Sequence, residues 1–289
     1  MKSKAKKYFI QEFLLTDCHY GGIGCKDIEE ILRRNGFQPI QFPFHAAFSL
    51  KAKFFRILFF CKCLFQLPSD AIIVFQTPMY AFLNRLLIKT ILLFRKSIKL
   101  VCIITDIDGL RDNDETLLNR EKKFFECFRY FIVHNNQMKD WLLKVKGSAA
   151  ISTFELFDFL TLPNKLHRQK YPEVAFSGNT INSAFIYDLT KIKNVKFNLY
   201  GEVDAKIFFG ASNIIIYGFV QPIPLKDQIK GSFGLVWNGD SINSLTNSAG
   251  TYLYINSPHK LSSYIVSGLP VIVHAASASA GVVKKYGRT

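Results

Sequence analysis

Asn256-Ser257-Pro258-His259-Lys260, then residues 261–267, then Gly268-Leu269-Pro270-Val271-Ile272-Val273 read as a helix start, a helix, a stop and a buried strand. Pro258 suits a first helical turn, where its fixed φ and missing N–H cost nothing. Gly268 ends the helix, and Pro270 opens a β-branched run. The unpaired N–H groups of the helix start, the dipole behind them and the Lys260 ammonium together make an anion site, for which a diphosphate is a natural occupant. The plainer reading is an ordinary helix–turn–strand with a surface lysine. The convergence of Pro258, His259 and Lys260 on one helix start favours the anion site.

Outward from this stretch the same alternation repeats. Upstream, Gly234-Leu235-Val236-Trp237-Asn238-Gly239-Asp240-Ser241 is a strand that delivers Asp240 and Ser241 to a loop. Their side chains can bind sugar or ribose hydroxyls, and a plain Asn-Gly-Asp turn explains them equally well. Further strands are expected at 174–176, 195–200, 213–217, 232–237 and 270–274, with helices at 260–267 and 278–286. A polar, basic, proline-bounded stretch at 163–172 separates this half from another of the same kind. There, strands at 8–15, 37–42, 71–75, 98–104, 130–133 and 149–152 alternate with helices at 27–34, 50–67, 79–96, 114–128 and 137–144. The pattern predicts two α/β domains, 1–165 and 166–289, each with a parallel sheet covered on both faces. Right-handed crossovers line up the loops that follow the strands along one edge. In the first half these loops are 16–24, 76–79, 105–111 and 134–136.

Composition narrows the partners. The chain has 289 residues, 49% of them hydrophobic, so it can bury two cores, and disorder is excluded. A net charge of +15 fits nucleic acid, an anionic membrane surface or a phosphorylated small substrate. The basic residues are dispersed and no recognition helix, zinc finger or RNA-binding signature occurs, so nucleic acid is the weakest of the three. The six cysteines form no C-x-x-C pair, and no Cys/His cluster has metal-ligand spacing, so no metal is expected. Residues 8–15 are too short for a signal core and contain Glu12. The most apolar stretches, 54–67 and 79–94, are interrupted by Lys62 and by Asn84, Arg85 and Lys89, short of a spanning helix. Two buried helices are the favoured reading; an interfacial membrane face is the alternative.

Candidate site residues lie at the loop edge of the first half as well. Asp106 and Asp108 follow an apolar strand. Asp106 can act as a base or orient an acceptor hydroxyl. Asp108 and Arg111 can equally pair with each other. His134 ends a strand at the same edge, where a structural histidine is the plainer reading. Gly21, Gly22 and Gly24 make a turn whose backbone N–H groups can approach a ligand. Glu155 and Asp158 are expected to pair with the basic linker.

Taken in order, Gly21-Gly22-Ile23-Gly24, Thr105-Asp106-Ile107-Asp108-Gly109-Leu110-Arg111, Val133-His134-Asn135, Phe154-Glu155-Leu156-Phe157-Asp158, Phe176-Ser177-Gly178-Asn179, Tyr200-Gly201, residues 234–241 and residues 258–273 resemble the bacterial glucosyltransferase-3-like family. That family acts in glycosylation of serine-rich-repeat adhesins, and its relatives are often labelled β-1,6-galactofuranosyltransferases. The resemblance covers nearly the whole chain. It implies a GT-B fold, with two Rossmann-like domains facing across a cleft. It also implies a UDP-sugar donor held by the second domain and an acceptor held by the first, with no bound cofactor. By motif, His259 and Lys260 face the donor diphosphate, Ser177, Gly178 and Asn179 line the same cleft, and Tyr217 packs near the uridine. Lys260 and Asp106 are the residues expected to carry catalysis.

The chain departs from the family pattern at three points. Asn182 stands where relatives often carry Lys or Arg. Ser263 stands where many GT-B enzymes carry a ribose-binding Glu. Relatives usually continue well past the last strand, so the C-terminal end is expected to be truncated. The function expected is transfer of a hexose from a UDP-sugar to a glycan, glycoprotein or lipid-linked acceptor of cell-surface polysaccharide or adhesin assembly. The expected setting is the cytoplasm or the inner membrane face, possible homo-oligomers included. The alternative is a non-catalytic nucleotide-sugar-binding subunit of a glycosylation complex.

Overall fold

Strands whose both faces are covered read as unbroken apolar runs, and residues 72–75 and 100–104 are such runs, in the two central strands of a six-stranded sheet. The computed structural model describes residues 5–12, 20–43, 49–165, 168–179 and 183–287. Its first half runs β1 (Lys7–Ile10), α1 (Tyr20–Arg34), β2 (Gln38–Ile40), α2 (Leu50–Gln66), β3 (Ile72–Thr77), α3 (Phe82–Phe94), β4 (Lys99–Ile104), α4 (Asp108–Arg111), α5 (Glu115–Glu126), β5 (Tyr130–Val133), α6 (Asn136–Lys146) and β6 (Ala150–Thr153). All strand pairs are parallel, in the order β2-β1-β3-β4-β5-β6. Alternate residues feed opposite faces. Ile73 and Phe75 pack with Leu87, Ile88 and Ile91 of α3. Val74 packs on the other side with Ile28 and Leu32 of α1.

The second half runs β7 (Glu173–Ser177), β8 (Lys196–Tyr200), β9 (Ile214–Gly218), α7 (Pro222–Gln228), β10 (Phe233–Val236), α8 (Asn247–Thr251), α9 (His259–Val266), β11 (Val271–Val273) and α10 (Ser279–Tyr286). Short 3₁₀ segments lie at Ala184–Lys191, Ala205–Phe208 and Tyr252–Tyr254. The sheet is again parallel, in the order β11-β10-β7-β8-β9. Val174 and Phe176 pack with Phe185 and Leu189 on one face. Ala175 and Val236 pack with Leu225, Leu261 and Tyr264 on the other.

Two expectations are corrected. The glycines at 21, 22 and 24 are not a turn before a helix; they are the first turns of α1 itself. Glycine costs a helix about 1 kcal/mol per residue, and close packing outweighs it at Gly24. A Cβ there would stand 2.7 Å from the His259 ring of α9. Nor are α2 and α3 simply buried. Each packs one face on the sheet and turns another, carrying Phe54, Phe65, Phe82 and Leu93, to solvent. Among the described residues no helix is long and apolar enough to cross a membrane. Residues 13–15 of the first expected strand, and Asn182, lie outside the described residues.

Candidate active site

In an open parallel sheet, ligands sit beyond the strand ends where the strand order reverses. In the second half that point lies between β7 and β10, and it is where Ser177, Gly178, Asn238 and Lys260 meet. The Ser177 N–H donates to the Tyr264 hydroxyl (2.7 Å) and the Gly178 N–H to the Tyr200 carbonyl (3.1 Å), which fixes the loop after β7. Lys260, in the first turn of α9, donates to the Trp237 carbonyl (2.9 Å) and to Asn238 Oδ1 (2.8 Å). Its Nζ stands 4.7 Å from the centre of the Phe176 ring. A Cβ at Gly178 would lie 3.2 Å from that Nζ, so glycine keeps the approach open. Burial pushes the Lys260 ammonium down to about 7. The lysine is thus held inside the strand-end crevice, and the surface-lysine reading does not describe it. Pro258 is the cap residue of α9 and supplies no side-chain acceptor to the helix N–H groups.

The neighbouring expected residues divide. His259 turns from the crevice toward the first half, its ring 5.6 Å from Phe157 and 5.1 Å from Phe159, and burial holds it down at about 4. Asn179 follows Gly178 at the exposed end of the loop. Asp240 is bonded by the Thr246 hydroxyl. Ser241 accepts from Trp237 Nε1 through its carbonyl (2.9 Å) and from the Asn243 N–H through its hydroxyl (3.1 Å). Both therefore brace their own loop, as the plain-turn reading has it. Tyr217 stacks flat on Tyr200 (4.8 Å) at the far edge strand β9, under the Lys230 ammonium (5.3 Å). Ser263 is buried within α9.

The wall formed by the first half is organised around Arg111. Its guanidinium pairs with Asp106, with Asp108 (3.0 Å) and with Asp112 (2.8 Å). Asp106 is therefore engaged by a cation. Glu121, absent from the sequence reading, accepts from the N–H groups of Asp108 and Gly109 (3.0 Å each), and burial pushes it up to about 7. Asp108 is likewise raised by burial. Glu12 was likewise read only as an interruption of an apolar run. Its carboxylate accepts from the Tyr80 N–H (2.7 Å), the Ala81 N–H and Asn84 Nδ2 (2.5 Å each). It thereby fills the helix start of α3 at the first sheet's own reversal point.

Several bonds join the two walls. The Ile107 N–H donates to the Tyr252 hydroxyl (2.8 Å). The Ser257 N–H donates to Nδ1 of His134 (3.3 Å), a fully buried ring lowered to about 4 by its burial. Asn135 caps α6 with its Oδ1 and donates Nδ2 to the Ile255 carbonyl (3.0 Å) and the Ser257 hydroxyl (2.9 Å). Glu155 pairs across the junction with Lys285 (2.9 Å), not with the linker. Within the first half, Asp27 accepts from the Leu160 N–H (3.0 Å). The structure thus groups Lys260 with Ser177 and Gly178, and Asp106 with Asp108 and Arg111, and links the groups through His134 and Tyr252. Among the described residues no cluster of three or more His, Cys, Asp or Glu is placed to hold a metal ion.

Comparison with known proteins follows this division. The model of the glucosyltransferase 3-like N-terminal domain matches residues 7–152, and that of the C-terminal domain residues 174–287. The β-1,6-galactofuranosyltransferase WbbI of Escherichia coli (strain K12) is 28% identical over 234 residues, covering 75% of this chain. The match spans 64% of that relative, under two thirds of its length. Among solved structures, sucrose-phosphate synthase of Thermosynechococcus elongatus superposes with a TM-score of 0.59 at 13% identity, over 97% of this chain and 84% of that one. This likeness is one of fold, the two facing sheets of a GT-B glycosyltransferase. With both domain models matched in order along the chain, the protein belongs to the glucosyltransferase 3-like family.

Proposed function

We propose that this protein is a glycosyltransferase that takes a hexose from a UDP-sugar and passes it to a hydroxyl of a glycan or glycosylated-protein acceptor. The observation that carries the reading is Lys260, an ammonium held by two hydrogen bonds inside the strand-end crevice, at an α9 start with no side-chain cap. An ammonium has three donors; with two used, one remains for a phosphate oxygen. The α9 N–H groups and their dipole add to the same field. The diphosphate gains negative charge as the glycosidic bond to it breaks, so a fixed cation there favours the transition state over bound donor. Donor binding in the second half places the acceptor against the Asp106–Arg111 wall.

UDP is expected to raise the melting temperature without added divalent metal, because a ligand that binds only the folded state stabilises it. Lys260→Ala is expected to lose that shift and most of the transfer or donor-hydrolysis rate. A variant that binds and turns over donor like the parent would remove Lys260 from the site, and binding that vanishes with EDTA would overturn the metal-free reading.

A further inference from the structure

A helix on the outside of an α/β domain needs one apolar stripe, facing the sheet. Helix α2 has two. Ala52, Phe59, Phe60 and Cys63 face inward. Phe54, Leu58, Cys61 and Phe65 recur at intervals of four, three and four, which puts them on one line along the helix. That line faces solvent: Phe54 is 58% exposed, Leu58 48% and Phe65 82%. Helix α3 repeats the arrangement with the same intervals in Phe82, Leu86, Lys89 and Leu93, and Phe82 and Leu93 are about two-thirds exposed. The two helices pack in one core, and Arg95 at the end of α3 donates to the Leu67 carbonyl at the end of α2 (2.5 Å). Contiguous exposed apolar faces of this kind mark interaction surfaces.

Charge says what the surface meets. Residues 49–97 hold Lys51, Lys53, Arg56, Lys62, Arg85, Lys89, Arg95 and Lys96 against the single acid Asp70. Lys51 and Lys62 flank the α2 stripe, where a long side chain can lie along apolar surface and hold its ammonium outward. A second copy of the chain, meeting this face by two-fold symmetry, would set these cations against themselves. A duplex nucleic acid would use the cations and leave the phenylalanines in water, and a single strand would stack on the rings but leave Leu58 and Leu93 uncovered. A bilayer with anionic headgroups takes both, the rings at the acyl boundary and the lysines among the headgroups. The surface also adjoins the cleft. The chain enters helix α3 through Tyr80 and the cap residue Ala81, both bonded to Glu12 at the strand-end edge, and Tyr80 lies in the field of Asp106, Asp108 and Arg111.

We infer that the outer face of α2 and α3 docks the protein on an anionic lipid bilayer, with the cleft opening beside the lipid surface. The test is flotation of the whole chain with vesicles of phosphatidylglycerol and phosphatidylcholine in equal parts, and with phosphatidylcholine alone. The parent floats with the first and stays at the bottom with the second, and added salt releases it. Phe54→Ser with Phe65→Ser, and separately Lys51→Glu with Lys62→Glu, each lower the bound fraction at least about tenfold. Both leave the melting temperature in place, since these side chains face solvent. A parent that does not float, or double variants that float equally well, overturn the inference. So does a parent that is dimeric and becomes monomeric in the phenylalanine variant without floating, which would give the face to a second copy. No sugar nucleotide enters the experiment, so its outcome stands apart from the donor reading.

Discussion

Burial that holds Lys260 near 7 leaves most of its molecules neutral at pH 8. A bound diphosphate favours the charged form and raises that value. Binding of UDP at pH 8 is therefore expected to take up close to one proton, and its affinity to fall by about tenfold per unit as pH rises above 7. Calorimetry in buffers of different ionisation enthalpy reads the uptake directly. Lys260→Ala is expected to abolish it; an uptake that survives belongs to another group. Lys260 was legible in the sequence because it sits in a motif whose geometry explains it, and Gly178 only through the family resemblance. Asn238 was not, since an asparagine before Gly-Asp reads as turn chemistry until its amide is seen bonding the ammonium. Glu12 and Tyr252 were illegible for a different reason. Their partners, such as Ile107 for Tyr252, lie far away in sequence and meet them only when the sheets form. Glu121 reads as one of several charges on an amphipathic helix until it is seen holding the Asp108 and Gly109 N–H groups.

At the scale of elements, close approach is set by glycine. A Cβ on Gly234 of β10 would stand 2.4 Å from Cγ of Tyr264, a fully buried ring of α9. Gly234→Ala is expected to destabilise the protein by about 2–3 kcal/mol, the cost of overpacking a filled core. It should also disturb the Ser177 N–H bond that Tyr264 accepts. Chemical denaturation measures the loss; an unchanged midpoint would mean that the ring re-seats freely. The strands were legible to within a few residues because covered parallel strands are continuous apolar runs. The 3₁₀ segments Ala184–Lys191 and Ala205–Phe208 were not, because they lack the 3.6-residue period. Helix α7 lies in a gap between expected strands, where Pro222 and Pro224 obscure its period. In α1 the glycines disguised a helix whose early start is explained only by the closeness of His259.

For the whole molecule, the two-sheet plan could be read from the chain, but the bonds that clasp the halves could not. Asn135 does two jobs, capping α6 and donating across to Ile255 and Ser257. Two substitutions separate them. Asn135→Ala loses both and is expected to cost about 1–2 kcal/mol. Asn135→Asp keeps an N-cap acceptor and loses the crossing donor, so amide exchange should quicken at residues 255–257 and stay unchanged at the start of α6. Equal exchange in both variants and the parent would mean that the crossing bonds restrain nothing. The two reversal points differ in one further respect. The α3 start is occupied by the chain's own Glu12 carboxylate, while the α9 start has an ammonium beside it and no side-chain cap. On the proposed donor reading these opposite charges would make the cleft directional: a charged reactant and a neutral one would load in a single orientation, chosen by electrostatics before any sugar is recognised by shape.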